Sequence, residues 1–189
     1  IGQAGGYRLL DERDCPLTIG RLGANLGNAG VLLRAYVYMR MLGAAGMRRV
    51  ADYSTLNANY HMAELKRAGF EVAFPGRRAT HEFVVTLKAL RDETGVTAMD
   101  VAKRLLDKGF HAPTAYFPQL VPESLLIEPT ETESKQTLDA FVAAMKEIRE
   151  EARRDPELVK GAPYTTPLRR LDEVRAARDL DLAWKPLIS

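Results

Sequence analysis

The sequence predicts an α+β chain: long helices first, then a small, mostly antiparallel sheet covered by helices, then an extended C-terminal tail. Three observations predict it. Residues 31–69 carry apolar positions at helical spacing and stop at Gly69. Residues 70–154 alternate short apolar or β-branched runs with single helical patterns, in the order β-β-α-β-β-α. Beyond Asp155-Pro156 the periodicity fades, and Pro163, Pro167 and Pro186 interrupt the chain.

Residues 1–30 read as an extended entry segment closed by a turn. Gly2, Gly5, Gly6, Cys15-Pro16 and Gly20 deny the first part any period, and Asn25-Leu26-Gly27-Asn28-Ala29-Gly30 is a small-residue turn at the head of a helix. In that helix Leu32, Ala35, Tyr36 and Met39 recur at helical spacing, while Leu33 and Val37 add a second apolar face. A small core cannot hide both faces. Leu32, Leu33, Tyr36 and Val37 are therefore expected not all to be buried by this chain alone, but to meet a partner subunit or a further domain. Gly43 ends the helix, and a second runs from Ala45 to Ala68 on a stripe of Met47, Val50, Ala51, Ala58, Met62 and Leu65. Residues 31–69 thus form the linking helices.

Residues 70–154 form the small α+β domain. Phe70–Phe74 is a short strand turned by Pro75-Gly76, and His81–Leu87 is a buried strand. Thr97 and Asp100 fit a capping box, in which hydroxyl and carboxylate each satisfy an orphan amide; the helix that follows buries Ala98, Val101, Ala102 and Leu105 and closes at Gly109. Tyr116-Phe117 and Leu125–Ile127 are short strands. Thr130-Glu131-Thr132-Glu133 offers a cap and carboxylates for the positive end of the last long helix. That helix buries Leu138, Phe141, Val142, Met145 and Ile148 and exposes Lys146, Glu147 and Glu150. Residues 155–189 are a wrapping tail with one short helix near Leu171–Arg178.

Composition narrows the function classes. Hydrophobic residues at 46% and charged residues at 28% describe a folded chain, not a disordered one. Twenty-seven Lys and Arg against 25 Asp and Glu leave a net charge of +2, and no basic run is interleaved with aromatics, so nucleic acid is not an expected partner. No apolar stretch approaches the roughly 18 residues of a membrane span. Cys15 is the single cysteine, so neither an internal disulfide nor a cysteine-based zinc site is expected. His61, His81 and His111 form no i, i+4 pair, and no metal site is expected. The chain opens Ile1-Gly2-Gln3 without an initiator Met, basic n-region or apolar h-region, so it reads as a piece without a signal peptide.

Three places can carry chemistry. Gly27 and Asn28 lie at a helix N-terminus, where free amides and the helix dipole attract phosphate; the favoured plain reading is a turn with an N-cap. His111, in His111-Ala112-Pro113-Thr114, can act as acid or base on a loop stiffened by Pro113, or be structural. In Glu128-Pro129-Thr130-Glu131-Thr132-Glu133 the carboxylates can do acid–base work, but capping is favoured for Glu131 and Glu133. Glu128 ends an apolar strand, so it is expected to be partly buried and to want a cation, with Arg104 as a candidate.

Longer blocks carry a resemblance. His81-Glu82-Phe83-Val84, the run Asp100-Val101-Ala102-Lys103-Arg104-Leu105-Leu106-Asp107-Lys108-Gly109-Phe110-His111-Ala112-Pro113-Thr114, and Glu128-Pro129-Thr130-Glu131-Thr132-Glu133-Ser134-Lys135 closely resemble the P-protein of the glycine cleavage system, a pyridoxal-phosphate-dependent glycine decarboxylase. The tail Ala162-Pro163-Tyr164-Thr165-Thr166-Pro167 with Arg170-Leu171-Asp172-Glu173-Val174-Arg175-Ala176-Ala177-Arg178 looks like subunit 2 of the two-subunit bacterial form. The resemblance spans about Tyr7 to Lys185, although Leu26 and Ala29 stand where the family carries aromatic residues.

The resemblance implies the C-terminal small domain of a fold-type-I pyridoxal phosphate enzyme. Its Schiff-base lysine follows a histidine in a large domain that precedes the matched region. None of the eight lysines here has a His-Lys-Thr context, so no catalytic residue is expected in this chain. The implied partners are subunit 1, glycine and the lipoylated H-protein that receives the aminomethyl group, in a cytoplasmic heterotetramer. Gly27 and Asn28 are the implied phosphate-side contacts, serving this subunit's site or its partner's. His111 and Thr114 are the implied wall of the substrate channel, while Glu128, Thr130 and Glu131 are structural or capping. The alternative is a non-catalytic module that binds subunit 1 or H-protein.

Overall fold

A computed structural model describes residues 10–11, 13–20 and 27–183. Most of the expected entry segment, the Asn25-Leu26 part of the turn and the chain end with Pro186 lie outside the described residues. Contacts divide the chain into two units, residues 1–47 and 48–189.

The first unit holds a turn at Asp11–Asp14, where Asp14 N–H donates to the Asp11 carbonyl at 3.1 Å. It also holds the first part of α1 (Ala29–Arg67). Gly43 takes φ 61° and ψ −177°, a conformation open to glycine, and interrupts the helix where the sequence places a stop. Leu32, Leu33, Tyr36 and Val37 are 46–64% exposed, as expected for a surface that meets something else.

The second unit begins within α1, whose Ala58, His61 and Leu65 are buried. Four short strands follow: β1 (Glu71–Val72), β2 (Phe83–Thr86), β3 (Thr114–Ala115) and β4 (Ser124–Ile127). They form one antiparallel sheet in the order β1-β2-β4-β3. Phe83 opposes Ile127 and Val85 opposes Leu125, which sends these four side chains to one face. That face joins Ala58 and Leu65 of α1, Val101 and Leu105 of α3 (Ala98–Asp107), and Phe141, Met145 and Ile148 of α4 (Lys135–Arg154) in one core. Each fully buried Leu, Val or Ile contributes about 1.5–3 kcal/mol. The expected layer of helices on a small antiparallel sheet is present.

Several local expectations need correction. The third strand lies at Thr114–Ala115 and not Tyr116-Phe117, because Tyr116 has φ 60° and turns the chain out of the extended region. Helix α2 (Lys88–Thr94) has no counterpart in the sequence pattern; it buries only Leu90, too little to make a period, and ends on left-handed Gly95. The capping box of α3 forms as read, with the Thr97 hydroxyl accepting from Asp100 N–H and the Asp100 carboxylate from Thr97 N–H. The cap of α4 is Ser134, whose hydroxyl oxygen accepts from Thr137 N–H at 3.1 Å; the Thr130–Glu133 run stops one residue short.

The tail opens with α5 (Pro156–Lys160), capped by Asp155 with proline in the first turn, a start signal that resembles a break. It closes with α6 (Glu173–Arg178). Between them Tyr164 and Thr165 are pinned to Asp107, whose Oδ1 accepts from both amides, at 2.6 and 2.8 Å, and from the Thr165 hydroxyl at 2.9 Å. Arg170 reaches Asp100 and the carbonyls of Lys160 and Ala162. Among the described residues no helix is long and apolar enough to cross a membrane.

Candidate functional site

A cleft of about 470 Å³ opens where the α3–β3 loop, the end of β4 and the start of α4 meet α1. Gly109 ends the turn after α3 at φ 81° and sends the chain into Phe110-His111-Ala112-Pro113, so that His111 and Thr114 stand exposed at the rim. Opposite them β4 runs out at Ile127, and Glu128 follows, also on the rim. Buried Phe141, Leu138 and His61 form the floor. The structure therefore brings Glu128 to the loop of His111 and Thr114, and adds Glu133 and Thr137.

The loop carrying Glu128–Glu133 is held from α1. The Asn57 side-chain amide donates to the carbonyls of Thr130 at 2.8 Å and Glu133 at 3.1 Å. Two residues on, Asn59 exchanges hydrogen bonds with the backbone of Ala79, which fixes the entry to β2. Neither asparagine stands out among the sequence candidates. Their i, i+2 placement on a helix, polar beside an apolar stripe, is the signal that could have found them.

Glu128 differs from expectation. It is exposed, and the ring it faces is His81, with Nε2 3.9 Å from Glu128 Oε1. Arg104 is taken elsewhere: it forms a two-pronged pair with Glu151, Nε to Oε2 at 2.8 Å and Nη2 to Oε1 at 3.0 Å, and a further bond to Asp107 at 3.0 Å. Lys108 joins Glu151 at 3.0 Å and Glu147 at 2.6 Å. The Arg104 and Lys108 bonds hold the Glu151 carboxyl below its ordinary value despite burial. This cluster is not part of the cleft lining; it ties α3 to α4 and anchors the tail.

His61 is the buried titratable group of the floor. It is 2% exposed, lies edge-on to Phe141 with ring centres 4.9 Å apart, and neither ring nitrogen has a hydrogen-bond partner. Burial pushes it down to about 4, against a smaller upward pull from Asp139, so it is neutral at pH 7.

Gly27 and Asn28 belong to the other unit. Gly27 has φ 106°, and the Asn28 side-chain oxygen accepts from Val31 N–H at 3.2 Å, the geometry of an N-cap. Thr130 carries structural bonds through its carbonyl, and Glu131 lies on a smaller cleft with His81. Among the described residues no group of three or more His, Cys, Asp or Glu is placed to hold a metal. Among the described residues no lysine lines this cleft; Lys88, Lys108, Lys135 and Lys160 are ion-paired to carboxylates elsewhere. The cleft therefore does not fit a pyridoxal phosphate of its own.

Comparison with known proteins follows this geometry. Residues 50–162, which include the whole cleft, match the family model described as "Glycine dehydrogenase, C-terminal domain". A probable glycine dehydrogenase (decarboxylating) subunit 2 from Nitrosospira multiformis is 72% identical over 181 residues, 96% of this chain and 36% of its own length. The protein of the same description from Thioalkalivibrio sulfidiphilus is 74% identical over 180 residues, 95% of this chain and 36% of its own. The chain thus spans little more than a third of these curated relatives. Among solved structures, the crystal structure of glycine decarboxylase (P-protein) of the glycine cleavage system, in inhibitor-bound form, is similar at a TM-score of 0.55 and 26% identity, over 66% of this chain and 28% of that one.

Proposed function

This chain belongs to the glycine dehydrogenase C-terminal-domain family, and on that premise we propose that it is the C-terminal part of a glycine dehydrogenase (decarboxylating) subunit 2. Its part is to wall the active site in which glycine loses carbon dioxide and the aminomethyl group passes to the lipoyl arm of H-protein. What carries this reading is the 72% identity to such a subunit along 181 residues. Pyridoxal phosphate and the lysine that binds it are assigned to the remainder of the subunit, because no lysine among the described residues lines this cleft.

The residues of this chain position and enclose. His111 and Thr114 present polar groups from a Pro113-stiffened loop at the channel wall, while the buried apolar floor keeps water from the reacting end. The helix start at Gly27-Asn28 is assigned to a phosphate, in this subunit's site or its partner's, since amides of a first helical turn attract anions. The exposed face of Leu32, Leu33, Tyr36 and Val37 supports docking on subunit 1, in a cytoplasmic heterotetramer. That face also favours the second reading, an interaction module without a catalytic part.

The test is release of labelled carbon dioxide from carboxyl-labelled glycine by the whole subunit assembled with subunit 1, pyridoxal phosphate and lipoylated H-protein. Release is expected. Its absence from a correctly assembled, cofactor-loaded complex would overturn the proposal and leave the interaction module.

A further inference from the structure

Asn57 and Asn59 flank the buried stripe of α1. Successive residues of a helix turn about 100°, so the two side chains leave on either side of buried Ala58. Each ties a different segment. Asn57 gives both hydrogens of its amide to the loop after β4, at the carbonyls of Thr130 and Glu133, 2.8 and 3.1 Å away. Asn59 accepts from the Ala79 N–H at 3.1 Å and donates to the Ala79 carbonyl at 2.8 Å, on the approach to β2. Because Phe83 opposes Ile127, these two segments meet at one end of the central strand pair. There His81 Nε2 and Glu128 Oε1 come within 3.9 Å. Pro129 is buried, the Glu133 N–H donates to the Thr130 carbonyl, and Glu133 leads directly into the Ser134 cap of α4. One side chain, Asn57, thus fixes where Glu128, Glu133 and Thr137 stand on one wall of the cleft, across from His111 and Thr114.

We propose that Asn57 is a positioning residue that sets the opening of this cleft and, through it, the affinity of the assembled enzyme for the protein that accepts the aminomethyl group. The inference rests on the glycine decarboxylase reading. The place needs two donors on one short side chain, and asparagine supplies them; aspartate only accepts, and serine donates once. Alanine at 57 would leave the two carbonyls to water. Thr130 is exposed and Glu133 half-buried, so water can reach both and the fold survives, but water does not hold the loop at a fixed distance from α1. The consequence falls on the acceptor. A group carried on a protein passes the rim and rests against it, whereas glycine is small and reacts on the cofactor held by the remainder of the subunit.

The experiment measures release of carbon dioxide from carboxyl-labelled glycine by the assembled enzyme, with lipoylated H-protein and glycine varied in turn. In Asn57→Ala the KM for H-protein should rise at least about fivefold, the equivalent of one hydrogen bond, while kcat and the KM for glycine stay within about twofold. Asn57→Gln keeps both donors and should recover part of that affinity. Asp155→Ala removes the cap of α5, away from the cleft; it controls for plain destabilisation and should leave the H-protein KM unchanged. Hydrogen exchange of the full chain reads the clamp without the reaction: Asn57→Ala should speed exchange of the Glu133 amide at least about fivefold more than that of the β2 amides. An unchanged H-protein KM, an equal rise in the glycine KM, the same rise in Asp155→Ala, or no selective quickening at Glu133 would overturn the proposal. So would loss of assembly in both Asn57 variants, since the side chain would then act through folding. These failures leave the glycine decarboxylase reading standing. Absence of release from the unsubstituted enzyme would sink that reading and this proposal with it.

Discussion

Replacing His61 by leucine should make the chain more stable, and more so in acid. At pH 7 the imidazole is neutral, 2% exposed and without a hydrogen-bond partner on either nitrogen. Removing unsatisfied buried groups gains about 1–3 kcal/mol, and losing the edge-on contact with Phe141 gives back about 0.5–1.5 kcal/mol. The net gain is about 1 kcal/mol. Acid adds a larger effect. The unfolded chain takes up a proton near the ordinary 6.5, while the folded chain refuses it until about 4, because burial disfavours the charged ring. Between those values the unfolded state holds more protons, so stability falls as pH falls. At about 1.4 kcal/mol per pH unit the loss reaches about 3 kcal/mol at pH 4. Leucine has no such loss, so the gap between the proteins should widen to about 4 kcal/mol. Urea unfolding of both chains at pH 7, 5.5 and 4 reads this directly. Parallel pH dependences from 6.5 to 4, or a leucine variant less stable at pH 7, would refute the reasoning.

Glu151→Ala should cost about 3 kcal/mol, since it strands Arg104, whose side chain is 13% exposed, and should lower Tm by about 6–12 °C; Arg104→Met with Glu151→Leu should recover most of the loss, which calorimetry can check. Asp107→Asn should loosen the tail, because the three donors from Tyr164 and Thr165 then meet a neutral acceptor, and limited proteolysis should cut after Tyr164 several-fold faster. The same release should occur in the unsubstituted chain under acid: burial pushes the Asp107 carboxyl up, but the Thr165 and Tyr164 amides outweigh it and hold it below its ordinary value, so the contribution is full above about pH 5 and lost as pH falls further. Leu33→Asp should change the stability of this chain by less than about 0.5 kcal/mol, because Leu33 is 64% exposed, yet weaken assembly with subunit 1 at least about tenfold in sedimentation.

The layering is legible where local chemistry and burial agree. Thr97 and Asp100 announce α3, and the spacing of Val101, Ala102 and Leu105 marks its buried face. Val85, Leu125 and Ile127 mark the two central strands. Elements with one buried residue escape: α2 rests on Leu90 and α5 on Val159, and neither makes a period. The edge strand β3 is displaced from its expected place because Tyr116 takes a positive φ, and a tyrosine carries none of the turn signals of Gly or Asn. The rim of the cleft is half legible. His111, Thr114 and Glu128 draw notice as polar residues on short connections, but that they face one another depends on β3 pairing with β4 at Thr114 and Leu126. The floor is hidden within the helical period, since His61 sits on an apolar stripe and only the structure reveals that its nitrogens go unpaired. The pairing of Arg104 with Glu151, not Glu128, follows from the packing of α3 on α4, which sequence spacing does not encode.

The central claim is that this chain walls the active site of a glycine decarboxylase, and His111→Ala tests it most directly. The measurement is release of carbon dioxide from carboxyl-labelled glycine by the assembled enzyme, with assembly followed in parallel by sedimentation. His111 is exposed at the rim of the cleft, so its loss should leave assembly intact. The rate should fall at least about tenfold, roughly 1.4 kcal/mol of transition-state stabilisation. An unchanged rate in the assembled enzyme, or a lost rate that merely follows lost assembly, would contradict the claim.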